Sequence, residues 1–206
     1  MTTRGYDGVK RAVDVLLSVA GIVVTSPLLV GAAVAIRLES AGPVVLRQTR
    51  VGKDGCDFTM FKFRTMVVDA HTTGTGWLTA QDDPRITRVG SFLRKSALDE
   101  LPQLVNVLRG DMSIVGPRPT LRYQVEQYTP LQRRRLEVRP GLTGWAQVRG
   151  RNLLTWPERI LLDIWYVEHR SLWLDTKILV RTVPVLLRGG GVYNDARGDW
   201  GEGEPT

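Results

Sequence analysis

Asp99 and Glu100 are adjacent carboxylates in the stretch Ser96-Ala97-Leu98-Asp99-Glu100-Leu101-Pro102-Gln103. Proline is tolerated only in the first turn of a helix, so Pro102 predicts a helix from about Glu100 to Arg109 with Asp99 near its N-cap. Leu101, Leu104, Val105 and Leu108 follow helical spacing, and Gly110 ends the segment. A helix N-terminus carries unpaired N–H groups and favours phosphate. Two carboxylates there fit a phosphate reaction in two ways. A divalent cation bridges the charges, or one carboxylate attacks phosphorus and becomes an acyl phosphate. A capping Asp followed by a first-turn Glu, with no chemistry, is the competing reading.

The surroundings are cationic. Arg88, Arg94 and Lys95 lie upstream; Arg109, Arg118, Arg122, Arg139, Arg149 and Arg151 follow. The guanidinium fork matches phosphate oxygens. In Pro117-Arg118-Pro119 two prolines stiffen the backbone around one arginine, although a turn with a solvated arginine has the same sequence. The formal charge of +7 calls for an anionic partner: nucleic acid, acidic lipid or a phosphorylated substrate. Two distant histidines, His71 and His169, disfavour a His-based triad or multi-His metal site. One cysteine, Cys56, excludes an internal disulfide and reads as a structural thiol in a turn.

The elements that position these residues read as mostly α with a small β-hairpin, an α/β class overall. Strands are predicted over 44–49 and 58–64, joined by a Gly-Lys-Asp-Gly turn. A loop covers 71–84. Helices are predicted over 87–95, 100–109, 121–136, 156–169 and 174–187. Residues 113–119 cannot be helical, and 139–152 are irregular or strand-like. The 174–187 segment suits either an interfacial amphipathic helix or an ordinary core-packed one. A glycine-rich, charged tail over 189–206 reads as disordered.

Near the N-terminus, 12–36 is apolar apart from Asp14. At about 1.5 Å per residue, a helix of that length just crosses a bilayer of about 30 Å. Ser26-Pro27 in its middle predicts a kink or break, with the serine able to bond freed carbonyls. Lys10 and Arg11 precede the run, and Arg37, Arg47, Arg50 and Lys53 follow it. Positive charge on both sides favours a re-entrant hairpin with both ends on the cytoplasmic face. A signal peptide with Ala33-Val34-Ala35 as its cleavage site, a kinked transmembrane anchor and a buried core helix are the alternatives.

Several long motifs occur in order: Lys62-Phe63-Arg64-Thr65-Met66; Leu98-Asp99-Glu100-Leu101-Pro102-Gln103-Leu104; Asn106-Val107-Leu108-Arg109-Gly110-Asp111-Met112-Ser113; Val115-Gly116-Pro117-Arg118-Pro119; Arg139-Pro140-Gly141-Leu142-Thr143-Gly144-Trp145-Ala146-Gln147; and Gly150-Arg151-Asn152. Across about residues 7–188 the chain resembles the bacterial sugar transferases, the monotopic phosphoglycosyl transferases. The resemblance implies transfer of a phospho-sugar from a UDP-sugar to a polyprenol phosphate such as undecaprenyl phosphate, with release of UMP. It implies Asp99 as the nucleophile of a covalent phosphosugar intermediate and Glu100 as a Mg²⁺ ligand. Arg94, Arg118 and Arg151 would surround the diphosphate and nucleotide, and Lys62 and Arg64 would face the lipid phosphate. It further implies a membrane helix broken at Ser26-Pro27 in 1–40, a catalytic domain over 41–188 and interfacial amphipathic helices. The enzyme would be monotopic on the cytoplasmic face of the bacterial plasma membrane, among membrane lipids, initiating glycoconjugate or exopolysaccharide assembly. No motif selects the sugar, the pathway or an oligomeric state.

Two other functions compete. A nucleic-acid-binding protein accounts for the charge, but the basic residues are punctuated by glycine and proline, and an apolar segment has no use there. A soluble metal-dependent hydrolase of UDP-sugars would use the same Asp99 and Glu100 with water as acceptor.

Overall fold

The computed structural model describes residues 3–70, 83–150 and 154–187. The loop expected over 71–84 falls mostly outside these, as do Arg151 and the 189–206 tail. The architecture is mostly helical with two small sheets: α1 (Thr3–Glu39), β1 (Val45–Val51), β2 (Asp57–Phe63), α2 (Arg88–Lys95), α3 (Gln103–Arg109), β3 (Ser113–Val115), α4 (Arg122–Glu126), α5 (Pro130–Arg133), β4 (Gly141–Thr143), α6 (Trp145–Arg149), α7 (Trp156–His169) and α8 (Leu172–Leu187).

The expected hairpin forms. β1 and β2 pair antiparallel from Val45↔Phe63 to Val51↔Asp57, around a tight turn at Lys53–Gly55. Strand alternation places Leu46, Gln48 and Arg50 on one face with Phe58, Met60 and Lys62. That face meets the main core, where Met60, Leu104, Val107, Met112, Tyr166 and Ile178 pack together. Asn106 of α3 stitches the free edge of β2. Its side chain accepts from the Phe61 N–H at 3.0 Å and donates to the Thr59 carbonyl at 2.7 Å. Behind it, β3 and β4 form a short parallel pair, Ser113↔Gly141 and Val115↔Thr143. A Cβ on Gly141 would lie 2.1 Å from the Gly116 nitrogen, so glycine is required for this approach.

Two expected helices are revised. The 100–109 helix begins at Gln103, with Pro102 at the N-cap position, and is preceded by a separate 3₁₀ turn at Leu98–Glu100. Asp99 therefore lies inside that turn, not at a helix cap. The single helix expected over 121–136 is three pieces: α4, α5 and a 3₁₀ turn at Arg134–Glu137. Thr129 caps the second piece by accepting from Gln132 N–H, and Pro130 starts it, because proline cannot continue the piece before. The helices expected at 156–169 and 174–187 are α7 and α8, the latter starting two residues early.

α1 is long and apolar enough to cross a membrane. It runs through Pro27 without losing its helical turn, so the break expected at Ser26-Pro27 is not seen. The reason is local: Pro27 cannot bond the Val23 carbonyl, and Ser26 Oγ donates to it instead at 2.8 Å. A buried core helix is excluded, since Leu16, Val23, Val24, Leu28, Val30 and Val34 are exposed.

Both ends of α1 dock on the same body. At the N-terminal end, Asp175 of α8 accepts from Tyr6 Oη and Lys10 Nζ, each at 2.9 Å, and from Tyr166 Oη at 2.7 Å. Arg11 donates to the Val107 and Leu108 carbonyls at the end of α3, and Asp14 accepts from the Ile114 N–H. At the C-terminal end, Ala32 and Ile36 pack on Phe63 and Leu93, and Glu39 accepts from the first two N–H groups of α2. These contacts make α1 part of the fold, a role a cleaved leader has no need of.

Candidate active site

The site forms where the end of β2, the end of α2, the 3₁₀ turn and the Pro117-Arg118-Pro119 segment meet. Gly90 lets α2 press on the backbone of Thr65, where any Cβ would lie 2.0 Å from the carbonyl oxygen. Arg94, one turn further on, donates to Thr65 Oγ1 at 2.7 Å. Ala97 then reverses the chain in the left-handed region, φ 56°. For a residue with a Cβ this conformation costs energy, and it lies directly before the two carboxylates.

Glu100 is held from two sides. Lys62 Nζ donates to its Oε1 at 2.9 Å, and Arg118 Nη2 donates to the same oxygen at 2.6 Å. A longer contact of 3.4 Å joins Arg118 Nη1 to Oε2. Burial pushes the Glu100 carboxyl up, but the charges of Arg118 and Lys62 and their hydrogen bonds more than offset it and hold the group well below the usual range.

Asp99 has no hydrogen bond or ion pair among the described residues. Burial pushes its carboxyl up to about 6, with Lys62 opposing, Glu100 adding, and Arg94 and Arg118 opposing again. Neighbouring carboxylates with pKa values driven apart are a signature of divided chemical roles.

Arg118 owes its place to residues that carried no motif signal. Arg135, 3% exposed, donates to the Arg118 carbonyl at 2.9 Å, to Tyr128 Oη and to Asp163, which is 2% exposed. The guanidinium thus grips the Pro117-Arg118-Pro119 backbone from beneath, with Asp163 balancing its charge. Only the count of arginines hinted at this, and a count cannot tell a buried one from a surface one.

Of the residues singled out from sequence, Asp99, Glu100, Lys62 and Arg118 come together, with Arg94 within electrostatic reach of Asp99. Arg64 does not join them. It is buried and holds the Ser40 and Ala41 carbonyls and Ser40 Oγ just past the end of α1. Cys56 is a free, exposed thiol.

The family described as bacterial sugar transferase matches residues 5–189. The chain belongs to the bacterial sugar transferase family. Membership makes it a transferase. It is 43% identical to a Bacillus subtilis protein described as the uncharacterized sugar transferase EpsL, over 89% of each chain. It is 46% identical to the UDP-glucose:undecaprenyl-phosphate glucose-1-phosphate transferase of Caulobacter vibrioides, over 89% of this chain and 72% of that one. It is 45% identical to the UDP-N-acetylgalactosamine-undecaprenyl-phosphate N-acetylgalactosaminephosphotransferase of Aeromonas hydrophila, over 90% of this chain but 45% of the relative. The chain therefore spans less than half the length of some sugar transferases that it resembles.

Proposed function

We propose that this transferase moves a phospho-sugar from a UDP-sugar to a polyprenol phosphate, with Asp99 as the nucleophile. The observation that carries this reading is the inequality of the two carboxylates: Glu100 is locked by Lys62 and Arg118, and Asp99 beside it has no hydrogen bond or ion pair among the described residues and a raised pKa. An Asp99 oxygen attacks the sugar-bearing phosphorus of the UDP-sugar. The bond from that phosphorus to the bridging oxygen breaks, and UMP leaves with the electron pair. An oxygen of the polyprenol phosphate then attacks the same phosphorus and frees the Asp99 carboxylate. Covalent capture divides one transfer between two bulky anions into two steps, with ping-pong kinetics.

Lys62, Arg94 and Arg118 supply positive charge where the diphosphate must approach a carboxylate. The donor set also fits a magnesium ion. Mg²⁺ binds through one or two carboxylates plus substrate phosphates and keeps several waters, and Asp99 and Glu100 offer that number of carboxylates. Glu100 would be the principal protein ligand, and the ion would neutralise charge on the diphosphate.

The docking of α1 supports a monotopic arrangement on the cytoplasmic face. Lys10 and Arg11 near one end and Arg37 near the other both belong beside the catalytic body, and the exposed valines and leucines of the middle would enter one leaflet. The exposed Trp173, Val180 and Val183 of α8 suit the membrane interface.

A UMP-release assay on membranes, with a panel of UDP-sugars and undecaprenyl phosphate, tests the reading. Acceptor-dependent UMP release supports it. Sugar phosphate formed without a lipid acceptor would instead indicate a hydrolase.

A further inference from the structure

Residues 117–120 carry Arg118 into the site, and Pro117 and Pro119 lie on either side of it. Proline has no N–H, so this stretch of backbone is held chiefly through its carbonyls. The Pro117 carbonyl accepts from the Gly141 N–H at 2.8 Å, and the Thr120 carbonyl accepts from the Val51 N–H at 2.9 Å. Between them, the Arg118 carbonyl accepts from Arg135 Nη2 at 2.9 Å. Of these three bonds, the middle one alone is made by a side chain.

That side chain belongs to a network closed to solvent. Buried Arg135 also donates to Tyr128 Oη and to Asp163 of α7. Tyr128 Oη donates in turn to Thr120 Oγ1 at 3.3 Å, so the network returns to the same stretch of backbone. A buried ion pair is a poor device for stability, because desolvating two charges offsets their attraction. This pair is also incompletely satisfied: Arg135 Nε and Asp163 Oδ1 are enclosed with no hydrogen-bond partner. Two apolar side chains would fill the space without burying charge. They could not supply a rigid donor at the Arg118 carbonyl.

Arg118 needs a fixed base. Its side chain is 48% exposed, yet its Nη2 meets Glu100 Oε1 at 2.6 Å. A long side chain in water gives up rotamer freedom to hold one geometry, and a moving backbone would forfeit that geometry. We infer that Arg135 is a positioning residue for the dyad: by holding the Arg118 carbonyl it fixes where the Arg118 guanidinium meets Glu100, with Asp163 as its buried counter-charge. Arg135 hydrogen-bonds to neither carboxylate of the dyad, so it acts only through Arg118. This role rests on the transferase reading given above.

The test is a double-mutant cycle on the full-length protein in nanodiscs, read as transfer from radiolabelled UDP-sugar to polyprenol phosphate. Arg135→Lys keeps a charge opposite Asp163 but loses the fork that also reaches the Arg118 carbonyl. Arg135→Met combined with Asp163→Leu removes the pair together and leaves no buried charge unpaired. Each should lower kcat per folded molecule by about tenfold or more, with KM for polyprenol phosphate within about twofold of wild type. In an Arg118→Gln background the same changes should cost no more than about twofold, because the guanidinium they position is gone. Equal cost in both backgrounds, or an unchanged kcat per folded molecule, would overturn the role. If one of the two variants fails to fold, the other completes the cycle; failure of both would make the pair structural and overturn the role as well. If wild type splits UDP-sugar without a lipid acceptor, the transferase reading fails, and the same cycle run on hydrolysis still tests Arg135. Wild type inert toward every UDP-sugar would overturn both.

Discussion

Two clusters of carboxylates and cations stand at opposite ends of this molecule's purposes. Under the N-terminal end of α1, both oxygens of Asp175 are taken: Oδ1 by Tyr166, Oδ2 by Tyr6 and Lys10. At the dyad, Glu100 is similarly satisfied, yet Asp99 next to it has no partner among the described residues. The Asp175 cluster is buried, whereas the dyad carboxylates are half-buried beside an exposed Arg118. A satisfied carboxylate holds elements together, and an unsatisfied one stores unfavourable charge that a reaction can use. The contrast lies in pairing, not in residue type.

Asp99→Asn attacks the contrast at its sharpest point. It removes the nucleophile, so turnover should fall by about 10³-fold or more. The same substitution should leave the protein folded and somewhat more thermostable near neutral pH. Asp99 has a raised pKa, so its ionised form is disfavoured in the fold at pH values above about 6, and that cost is relieved as pH falls from about 6 toward 3.8. A thermal melt of the variant with an unchanged or lower midpoint at pH 7 would argue against a strained carboxylate. In wild type, kcat/KM should decline as pH drops through about 6, where Asp99 takes up a proton.

Glu100→Gln should cost roughly 10²-fold in rate, because it frees Lys62 and Arg118 from their anchor. Glu100 has the opposite stability sign. Its pKa is depressed, so the stabilisation is present above its ordinary 4.5 and is lost as pH falls below that value. Acid unfolding of Glu100→Gln should therefore show a weaker pH dependence below about 4.5 than wild type.

Asp175→Asn tests the other cluster. It removes the negative charge and one of the two oxygens that accept from three donors, and about 3 kcal/mol of stability should go with it. The activity of the molecules that remain folded should change little. A large loss of kcat with normal stability would mean the anchor communicates with the dyad, and the division drawn here would fail.

Ala97→Gly is the smallest perturbation. It relieves the left-handed backbone before Asp99 and should stabilise by about 1 kcal/mol. If the strain helps aim Asp99, kcat should fall as the melting temperature rises.

Much of this was legible in the sequence because rigid rules were in play. Period-2 alternation and a Gly-Lys-Asp-Gly turn specified the hairpin, and the helix expected over 156–169 is α7. The dyad and Pro117-Arg118-Pro119 announced themselves by composition. Other features had no local signal. Ala97 takes a left-handed conformation that only glycine or asparagine would have advertised. Proline at 102 read as the first turn of a helix, but the packing of Leu98–Glu100 against β2 and α2 made a separate 3₁₀ turn before it. Arg64 sits in the same motif as Lys62, yet the two are two residues apart on a strand that ends at Phe63. Past that end the alternation no longer governs, and Arg64 turns to the end of α1. Arg135 and Asp163 meet across 28 residues of chain, a pairing that exists only once α7 has packed.

The central claim is that Asp99 carries the phospho-sugar. The most direct measurement is intact-protein mass spectrometry after incubating the enzyme with UDP-sugar in the absence of polyprenol phosphate. Wild type should gain the mass of one sugar phosphate, map it to Asp99, release one equivalent of UMP, and lose the adduct when polyprenol phosphate is added. Asp99→Asn should show neither adduct nor UMP. Full turnover by wild type with no adduct under any quench, or an adduct that persists in Asp99→Asn, would contradict the account.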